Sequence, residues 1–304
     1  MKWTRHLRIR HLSTLVALHE ARNLSHTAAQ MGITQPALSK WLREMEKDLG
    51  VPLFERHPKG LVPTEYCDLL VNRAHLVLNE LGRTANLLDA VASGTNGSLH
   101  IGSTPVAMTD LLPTALATLQ ESHPSAFVRI QDGTLDTLLP QLESGKLDLL
   151  VSRLEERRYG GDIAHEILYE ESTVVVAGPH HPLAGMQNVT WLDALAYPWI
   201  GPPLHSPLRA ELEQALALAQ QPLPRIFVET SSTVLNAALL EHTTMLGIIS
   251  RRPARYLQDA GRIAILHLPI SRASRVGIMW RRESPHGPLQ QAMLDALRAA
   301  ANPC

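Results

Sequence analysis

Residues 23–50 read NLSHTAAQMGITQPALSKWLREMEKDLG, and this stretch predicts two short helices joined by a tight turn. Ser25 is the expected N-cap of the first helix, because a serine hydroxyl accepts from the unpaired N–H groups of a first turn. Gly32 can adopt the left-handed backbone that ends this helix. Thr34 and Pro36 suit the start of the second helix, where proline costs no intrahelical hydrogen bond. The stretch therefore predicts a helix-turn-helix.

The second helix has a buried stripe and a polar outward surface. Apolar residues recur at the three-to-four-residue spacing of a buried helix face, namely Leu38, Leu42, Met45 and Leu49. The outward surface is then left with Gln35, Ala37, Ser39, Lys40 and Arg43. Gln can pair with adenine, Ala can touch a thymine methyl, and Lys or Arg can hold phosphate or guanine. The surface indicates a recognition helix for DNA; the alternative is an ordinary helical hairpin with a solvated polar face.

Charge is distributed unevenly along the chain. Residues 1–64 hold ten Lys/Arg and five Asp/Glu, whereas the remaining residues hold 18 Lys/Arg and 24 Asp/Glu. A basic head on an acidic body favours a polyanion as the partner of the head.

The chain shows no sign of export, membrane insertion or metal binding. Its start, MKWTRHLRIRHL, lacks an apolar segment of signal-peptide length. No run approaches the roughly 20 apolar residues that cross a bilayer. Cys67 and Cys304 have no metal-ligand spacing and form no disulfide framework. We expect a cytoplasmic protein with no membrane contact, no metal and no cofactor.

The sequence after the helix-turn-helix predicts a wing and a long helix. VPLFERHPKGLVPT, residues 51–64, indicates a small hairpin that carries Arg56 and Lys59 toward the DNA backbone or minor groove. A plain surface hairpin is the alternative. Residues 64–93 form one proline-free helical pattern with a coiled-coil seam, whose positions are Leu70, Ala74, Val77, Leu81, Thr84, Leu88 and Val91. A seam this short favours pairing within a dimer, and twofold proteins read twofold DNA sites.

These motifs together resemble the LysR-type transcriptional regulators. The resemblance is carried by TAAQMGITQPALSKWLREMEKDLGVPLFER, residues 27–56. It is dense over roughly the first 65 residues and extends over the full chain length. One departure lies where the wing meets the long helix. The family usually has Thr-x-x-Gly there, whereas this chain has Thr64-Glu65-Tyr66-Cys67.

The remainder of the chain predicts two α/β lobes. SGTNGS at residues 93–98 indicates a flexible connection. Short apolar strands then alternate with helices, which implies parallel βαβ units. The predicted fold class is α/β: an N-terminal winged helix-turn-helix, a linker helix, and a two-lobed effector domain like a periplasmic binding protein. The predicted boundaries are 1–63 for the DNA-binding domain, 64–93 for the linker, and 94–304 for the effector domain, with lobe I at about 98–170 and 270–301 and lobe II at about 171–269.

Polar residues follow several predicted strands, where open α/β sheets bind their ligands. In similar family members the corresponding segments line the inducer cleft. The predicted ligand-binding residues are Ser103, Thr104, Pro105, Thr134, Arg153, His205, Ser206, Ser231 and Ser232. The Ser and Thr residues are also ordinary helix caps. Arg153 could clamp a carboxylate, or it could pair with Glu155 or Glu156 on the surface.

The function predicted from these features is sequence-specific DNA binding rather than enzymatic catalysis. The expected DNA contacts are Ser25, Thr34, Gln35, Pro36, Ala37, Ser39, Lys40, Arg43, Arg56 and Lys59. The resemblance implies double-stranded promoter DNA, RNA polymerase and a small-molecule inducer as partners, and assembly from homodimer to homotetramer. The polar strand ends favour a small polar inducer, such as a carboxylate or sugar acid. A constitutive regulator without a ligand and an exported solute-binding receptor are the alternatives.

Overall fold

The computed structural model describes residues 7–57, 60–93, 97–155, 159–204, 206–270, 273–283 and 287–302. The chain forms two compact units that divide near residue 95. Within the described residues, no helix is both long and apolar enough to span a membrane.

The N-terminal unit is a helix-turn-helix followed by a two-stranded wing and a long helix. Its elements are α1 (Ile9–Ala21), α2 (Leu24–Gln30), α3 (Gln35–Leu49), β1 (Phe54–His57), β2 (Gly60–Pro63) and α4 (Glu65–Ser93). β1 and β2 pair antiparallel, with Phe54 opposite Pro63. Leu15, Leu18, Leu38 and Leu42 are buried at the centre of its core. The hydrophobic pattern of α3 therefore has the orientation that its period predicts.

The ends of the two central helices follow their capping residues, with one correction. Thr34 caps α3 as predicted, its side chain accepting from the Ala37 N–H. The expectation that Ser25 caps α2 is wrong. Asn23 is the N-cap, accepting from the His26 N–H at 3.0 Å, and Ser25 lies exposed inside the first turn. Asparagine is as good a cap as serine, so the choice depends on where the preceding chain turns.

The junction between wing and long helix is packed around Thr64 and Cys67. The Thr64 hydroxyl donates to the Pro52 carbonyl at 2.8 Å and accepts from the Cys67 N–H at 3.3 Å. The Cys67 side chain is fully buried in the core of the N-terminal unit. This thiol therefore fills apolar space at the position where the family pattern has glycine.

The second unit contains two five-stranded sheets. The first sheet and its helices form lobe I: β3 (Ser98–Ser103), α5 (Pro105–Met108), α6 (Leu111–Ser122), β4 (Phe127–Asp132), α7 (Leu135–Glu143), β5 (Leu149–Leu154), β6 (Ile163–Glu171), β12 (Ser274–Arg281) and α12 (Pro288–Ala301). The second sheet and its helices form lobe II: β7 (Thr173–Ala177), α8 (Trp191–Leu195), β8 (Trp199–Gly201), α9 (Pro207–Leu218), β9 (Ile226–Glu229), α10 (Thr233–His242), β10 (Leu246–Ser250), α11 (Arg251–Asp259) and β11 (Ala264–Leu266).

The two sheets share one design. In lobe I the strand order is β4-β3-β5-β12-β6. In lobe II, starting from the corresponding edge, it is β9-β8-β10-β7-β11. β3 is parallel to β4 and β5, whereas β12 is antiparallel to its neighbours. The chain crosses between the lobes after β6 and returns before β12, as the two-lobed fold requires.

Candidate nucleic-acid interface and inter-lobe cavity

The outward surface of α3 is exposed and polar. Gln35, Pro36, Ala37, Lys40 and Arg43 are exposed. Leu38, Leu42 and Met45, on the opposite face, are buried. Helix α3 can therefore present its polar surface to a groove without disturbing the core.

The wing adds a cation beside this surface. Arg56 of β1 is exposed, and its Nη2 donates to Ser39 Oγ at 3.3 Å. Arg43 Nε donates to the Ser39 carbonyl at 3.2 Å. Arg56 and Arg43 thus both converge on Ser39, where two guanidinium groups can meet a phosphate backbone. Lys59 lies outside the described residues.

The predicted seam of α4 divides into two parts. Ala74 is buried and Leu70 half-buried, because the first part of α4 packs within the N-terminal unit. Farther along the helix the seam faces solvent, with Val77, Leu81 and Leu88 47%, 42% and 66% exposed. The side chain of Val91 lies outside the described residues. An apolar row exposed at coiled-coil spacing is a surface that a second helix can cover.

The predicted ligand residues of lobe I are held by local hydrogen bonds. Ser103 is fully buried, and its hydroxyl donates to the Thr104 carbonyl at 3.0 Å. Thr104 Oγ1 donates to Ser152 Oγ at 3.4 Å, and Pro105 begins α5. Thr134 is exposed and bonded to the side chain of Thr137.

The predicted ligand residues of lobe II are mainly helix caps. Ser206 accepts from the Arg209 N–H at the start of α9. Ser232 accepts from the Leu235 N–H at the start of α10, and Ser231 beside it is exposed. His205 lies outside the described residues. Capping satisfies the hydroxyl oxygens of both serines locally.

A cavity of about 380 Å³ lies between the lobes. Its wall combines the end of β5, the start of α9 and the start of β12. The lining residues are Arg153, Leu154, Glu155, Ser206, Pro207, Ala210, Glu211, Gln214, Ala273, Ser274 and Arg275. Of the predicted ligand residues, the described wall includes Arg153 and Ser206 but not the strand-end residues Ser103, Thr134 and Ser232. The cavity thus lies beside only part of the predicted site.

Arg153 is buried and has an internal carboxylate partner. Its Nη1 donates to Glu211 Oε1 at 2.7 Å, and both side chains are only 7% exposed. Nη1 also donates to Ser274 Oγ, and Nη2 donates to Ser250 Oγ at 2.7 Å and to Thr173 Oγ1 at 3.3 Å. The sequence left open whether Arg153 clamps an anion or pairs with Glu155 or Glu156 on the surface. The structure instead gives it Glu211 in a buried pair that joins the lobes; Glu156 lies outside the described residues.

Sequence reasoning overlooked Glu211, although a signal was present. Leu208, Leu212, Ala215 and Leu216 mark one face of α9, and Glu211 occupies a position of that same face. A carboxylate among apolar positions of a helix needs a buried partner. The partner itself, 58 residues away, gives no local sign.

A second arginine joins the lobes on another side of the crossing strands. Arg252, in the first turn of α11, donates from Nε to the Asp110 carboxylate of lobe I. Its Nη2 donates to the Ala300 carbonyl at 2.6 Å and its Nη1 to the Ala301 carbonyl at 3.3 Å, at the end of α12. The guanidinium also lies 4.9 Å from the Tyr169 ring centre. Arg252 thereby caps a helix of the opposite lobe.

The chain is similar to known regulators over nearly its whole length. A family model described as the LysR substrate binding domain matches residues 92–302, and one described as a bacterial regulatory helix-turn-helix protein, lysR family, matches residues 9–68. The HTH-type transcriptional regulator GbpR of Azospirillum brasilense is 31% identical over 97% of this chain and 87% of that protein. The HTH-type transcriptional regulator GalR of Pseudomonas putida is 29% identical over 95% of this chain and 73% of its own length.

Solved structures share the fold. CbnR, a LysR family transcriptional regulator, aligns over 97% of this chain and 100% of its own, with a TM-score of 0.66 at 20% identity. CbnR has also been crystallised in full length with its target DNA. At this identity the likeness shows a common fold.

Proposed function

Because the chain belongs to the LysR family of transcriptional regulators, we propose that it binds a specific promoter sequence through α3 and the wing, under the control of a small polar molecule held between its two effector lobes. The observation that carries the DNA-binding part is the surface of α3. Its apolar side is buried, and its exposed side carries the residue types that read bases and hold phosphates.

Each exposed residue has a role in the proposed complex. Helix α3 enters the major groove with Gln35 and Ala37 at base edges and with Lys40 and Arg43 nearer the phosphates. Arg56, held beside Ser39, contacts the backbone. Lys59 of the wing has the same proposed role. The start of each central helix provides further backbone contacts through Ser25, Thr34, Pro36 and Ser39.

The proposed assembly is a homodimer that associates further into a homotetramer. The solvent-facing row Val77, Leu81 and Leu88 supports pairing through α4. Apolar side chains on one edge strand of each sheet support contacts between copies, since Phe127 on β4 and Phe227 on β9 are 55% and 63% exposed. Such an assembly binds two half-site pairs and bends the DNA between them.

The proposed effector acts by population shift. The inter-lobe cavity, walled by both lobes, is where a bound molecule touches both and so biases their relative orientation. The changed orientation alters dimer spacing, DNA bending and recruitment of RNA polymerase in the cytoplasm. One observation favours a constitutive regulator as second candidate: Arg153 has an internal carboxylate partner, Glu211. Loss of an effector response in Thr104→Ala, with DNA affinity intact, argues against that candidate.

The test is selection of bound sequences from a random duplex pool by the full-length protein. We expect a sequence motif with twofold symmetry. Gln35→Ala should relax the base preference at one base pair of each half-site. The discrimination against the wrong base should fall by about 1–3 kcal/mol, which is the contribution of a bidentate base contact. Lys59→Ala should weaken all sequences about equally.

The matched control is Lys47→Ala, which removes an exposed cation from the last turn of the same helix. It should leave the motif unchanged. If Gln35→Ala selects the same motif as the parent protein, the assignment of α3 to the groove is wrong.

A further inference from the structure

We propose that Glu211 is a built-in carboxylate ligand of Arg153, and that this pair excludes anionic effectors from the inter-lobe cavity and selects an uncharged, hydroxyl- or amide-bearing small molecule. The inference rests on the proposed effector function and specifies the ligand class of that site. It replaces the carboxylate or sugar acid that an unpaired Arg153 would favour.

The first step concerns the hydrogen-bonding capacity of Arg153. The residue is 6% exposed, and its two Nη atoms donate to Glu211, Ser274, Ser250 and Thr173. The remaining donor, Nε, is buried and has no hydrogen-bond partner among the described residues. A carboxylate effector that used both Nη atoms as a bidentate clamp would have to displace Glu211. Displacement would leave Glu211 as an unpaired buried charge, which is strongly unfavourable.

The second step concerns how firmly Glu211 is held. Besides Arg153, its carboxylate accepts from the Thr173 hydroxyl. Glu211 also lies on α9 of lobe II, among helix positions that are buried in the core of that lobe. Its carboxylate can leave this position only by breaking the bonds to both Arg153 and Thr173. The internal ligand therefore holds its position better than a diffusing anion would.

The third step concerns the charge of the cavity wall. In the described wall, Arg153 and Arg275 are matched by Glu155 and Glu211. The remaining polar groups of the described wall are neutral, namely Ser206, Gln214 and Ser274. Hydroxyl and amide groups both donate and accept, so they pair with hydroxyl-rich ligands. A volume of about 380 Å³ is at the small end of ligand cavities, which fits a ligand the size of a monosaccharide or short polyol.

The experiment removes the Glu211 carboxylate from the full-length protein by mutation and supplies a free carboxylate from solution. Thermal unfolding is followed in increasing sodium propionate, with sodium chloride at equal ionic strength as the reference. Propionate supplies the carboxylate that Glu211→Ala deletes, on a chain one carbon longer than the deleted side-chain atoms. The parent protein should show no shift beyond chloride. Glu211→Ala should show a saturable rise in Tm, with a propionate Kd at least ten-fold lower than that of the parent, which corresponds to 1.4 kcal/mol.

Two further variants keep the result decisive. Glu211→Gln retains the side-chain volume but not the charge, so it serves if the alanine variant fails to fold, and it should also gain propionate binding in the adjoining cavity. Glu213→Ala is the matched control: it makes the same change on the same helix but breaks the more exposed pair with Arg209, and it should respond to propionate no more than to chloride.

Either of two outcomes would overturn the proposal. One is a propionate shift in the parent protein that Arg153→Met abolishes, which would show that Arg153 accepts external anions. The other is the absence of a propionate shift in both Glu211 variants. Neither measurement involves DNA, so the proposal can fail while the promoter-binding function stands, and DNA binding can fail while these shifts are observed.

Discussion

Arg252 offers the sharpest test of how the two lobes are held together. Arg252→Met keeps most of the side chain's apolar length but removes every donor. It deletes the pair with Asp110, two hydrogen bonds to the last carbonyls of α12, and the cation above Tyr169. The variant therefore loses contacts to three separate elements of lobe I.

The expected loss follows from these contacts. The Arg252 and Asp110 side chains are 21% and 31% exposed, so we reduce their charge-assisted bond to about 1 kcal/mol for solvent screening. The two carbonyl bonds together contribute about 1–2 kcal/mol, and the cation above the ring about 0.5–1 kcal/mol. The free energy of unfolding should fall by about 3 kcal/mol, which for a unit of this size lowers Tm by roughly 6–12 °C.

The assay is urea unfolding of the full-length protein, read by tryptophan fluorescence and circular dichroism. Arg262→Met is the matched control, because Arg262 pairs with Glu241 inside lobe II while 42% exposed. This change should destabilise the protein far less than Arg252→Met, because an exposed ion pair contributes little. A double-mutant cycle with Asp110→Asn isolates the pairwise energy. If Arg252→Met lowers the free energy of unfolding no more than the control does, the view that Arg252 holds the two lobes together is refuted.

Three further predictions concern other parts of the chain. Burial lowers the pKa of His181 below its usual 6.5, and its Nδ1 accepts a backbone N–H, so protonation of this side chain opposes folding. The free energy of unfolding should therefore fall as the pH drops below about 6.5, and His181→Gln should reduce the slope of this dependence. Burial raises the pKa of the Cys67 thiol to about 12, so a thiol reagent at pH 8 should label Cys67 only in denaturant. Leu81→Glu places a charge in the exposed row of α4 and should lower the sedimentation mass of the oligomer, whereas Asn72→Glu, also exposed on α4, should not.

The sequence correctly predicted the features of α3 that depend on helix geometry alone. The Thr34 cap and the buried row Leu38, Leu42 and Met45 follow from helix geometry alone, so the structure confirms them. The cap of α2 failed because Asn23 and Ser25 are both good caps, and the choice between them depends on the path out of α1. Local signals cannot rank two equal caps.

Two elements of the effector domain differ in how clearly the sequence indicates them. β6 lies at a sheet edge, and its sequence IAHEILYEE interleaves charged and apolar residues because one of its sides faces solvent. The start of α8 does have a local signal, since Thr190 and Asp193 form a capping box. The hydrophobic pattern of β6 is therefore a weak indication of a strand, whereas the capping box of α8 is a clear indication of a helix start.

The candidate site shows the same division between local and distant information. That Arg153 ends a buried strand could be inferred from the sequence; that Glu211 neutralises it could not, because the two meet only when both lobes are folded. An isolated arginine predicts an anionic ligand, whereas the neutralised buried pair indicates an uncharged ligand for the cavity. The partner of a charged residue therefore decides the ligand class more than the residue itself does.

The two arginine-centred contacts also limit how an effector can move the lobes. A motion that separated Arg252 from Asp110 and α12 would cost about the 3 kcal/mol expected for Arg252→Met. An effector would then have to bind the separated state about 150-fold more tightly than the joined one. A small ligand in a cavity of about 380 Å³ would use much of its binding free energy for that preference alone. Rotation about the crossing strands leaves both arginine contacts intact and therefore requires far less free energy than separation of the lobes. The energetics thus favour a small change of lobe angle, amplified by the oligomer, over wide opening of the lobes.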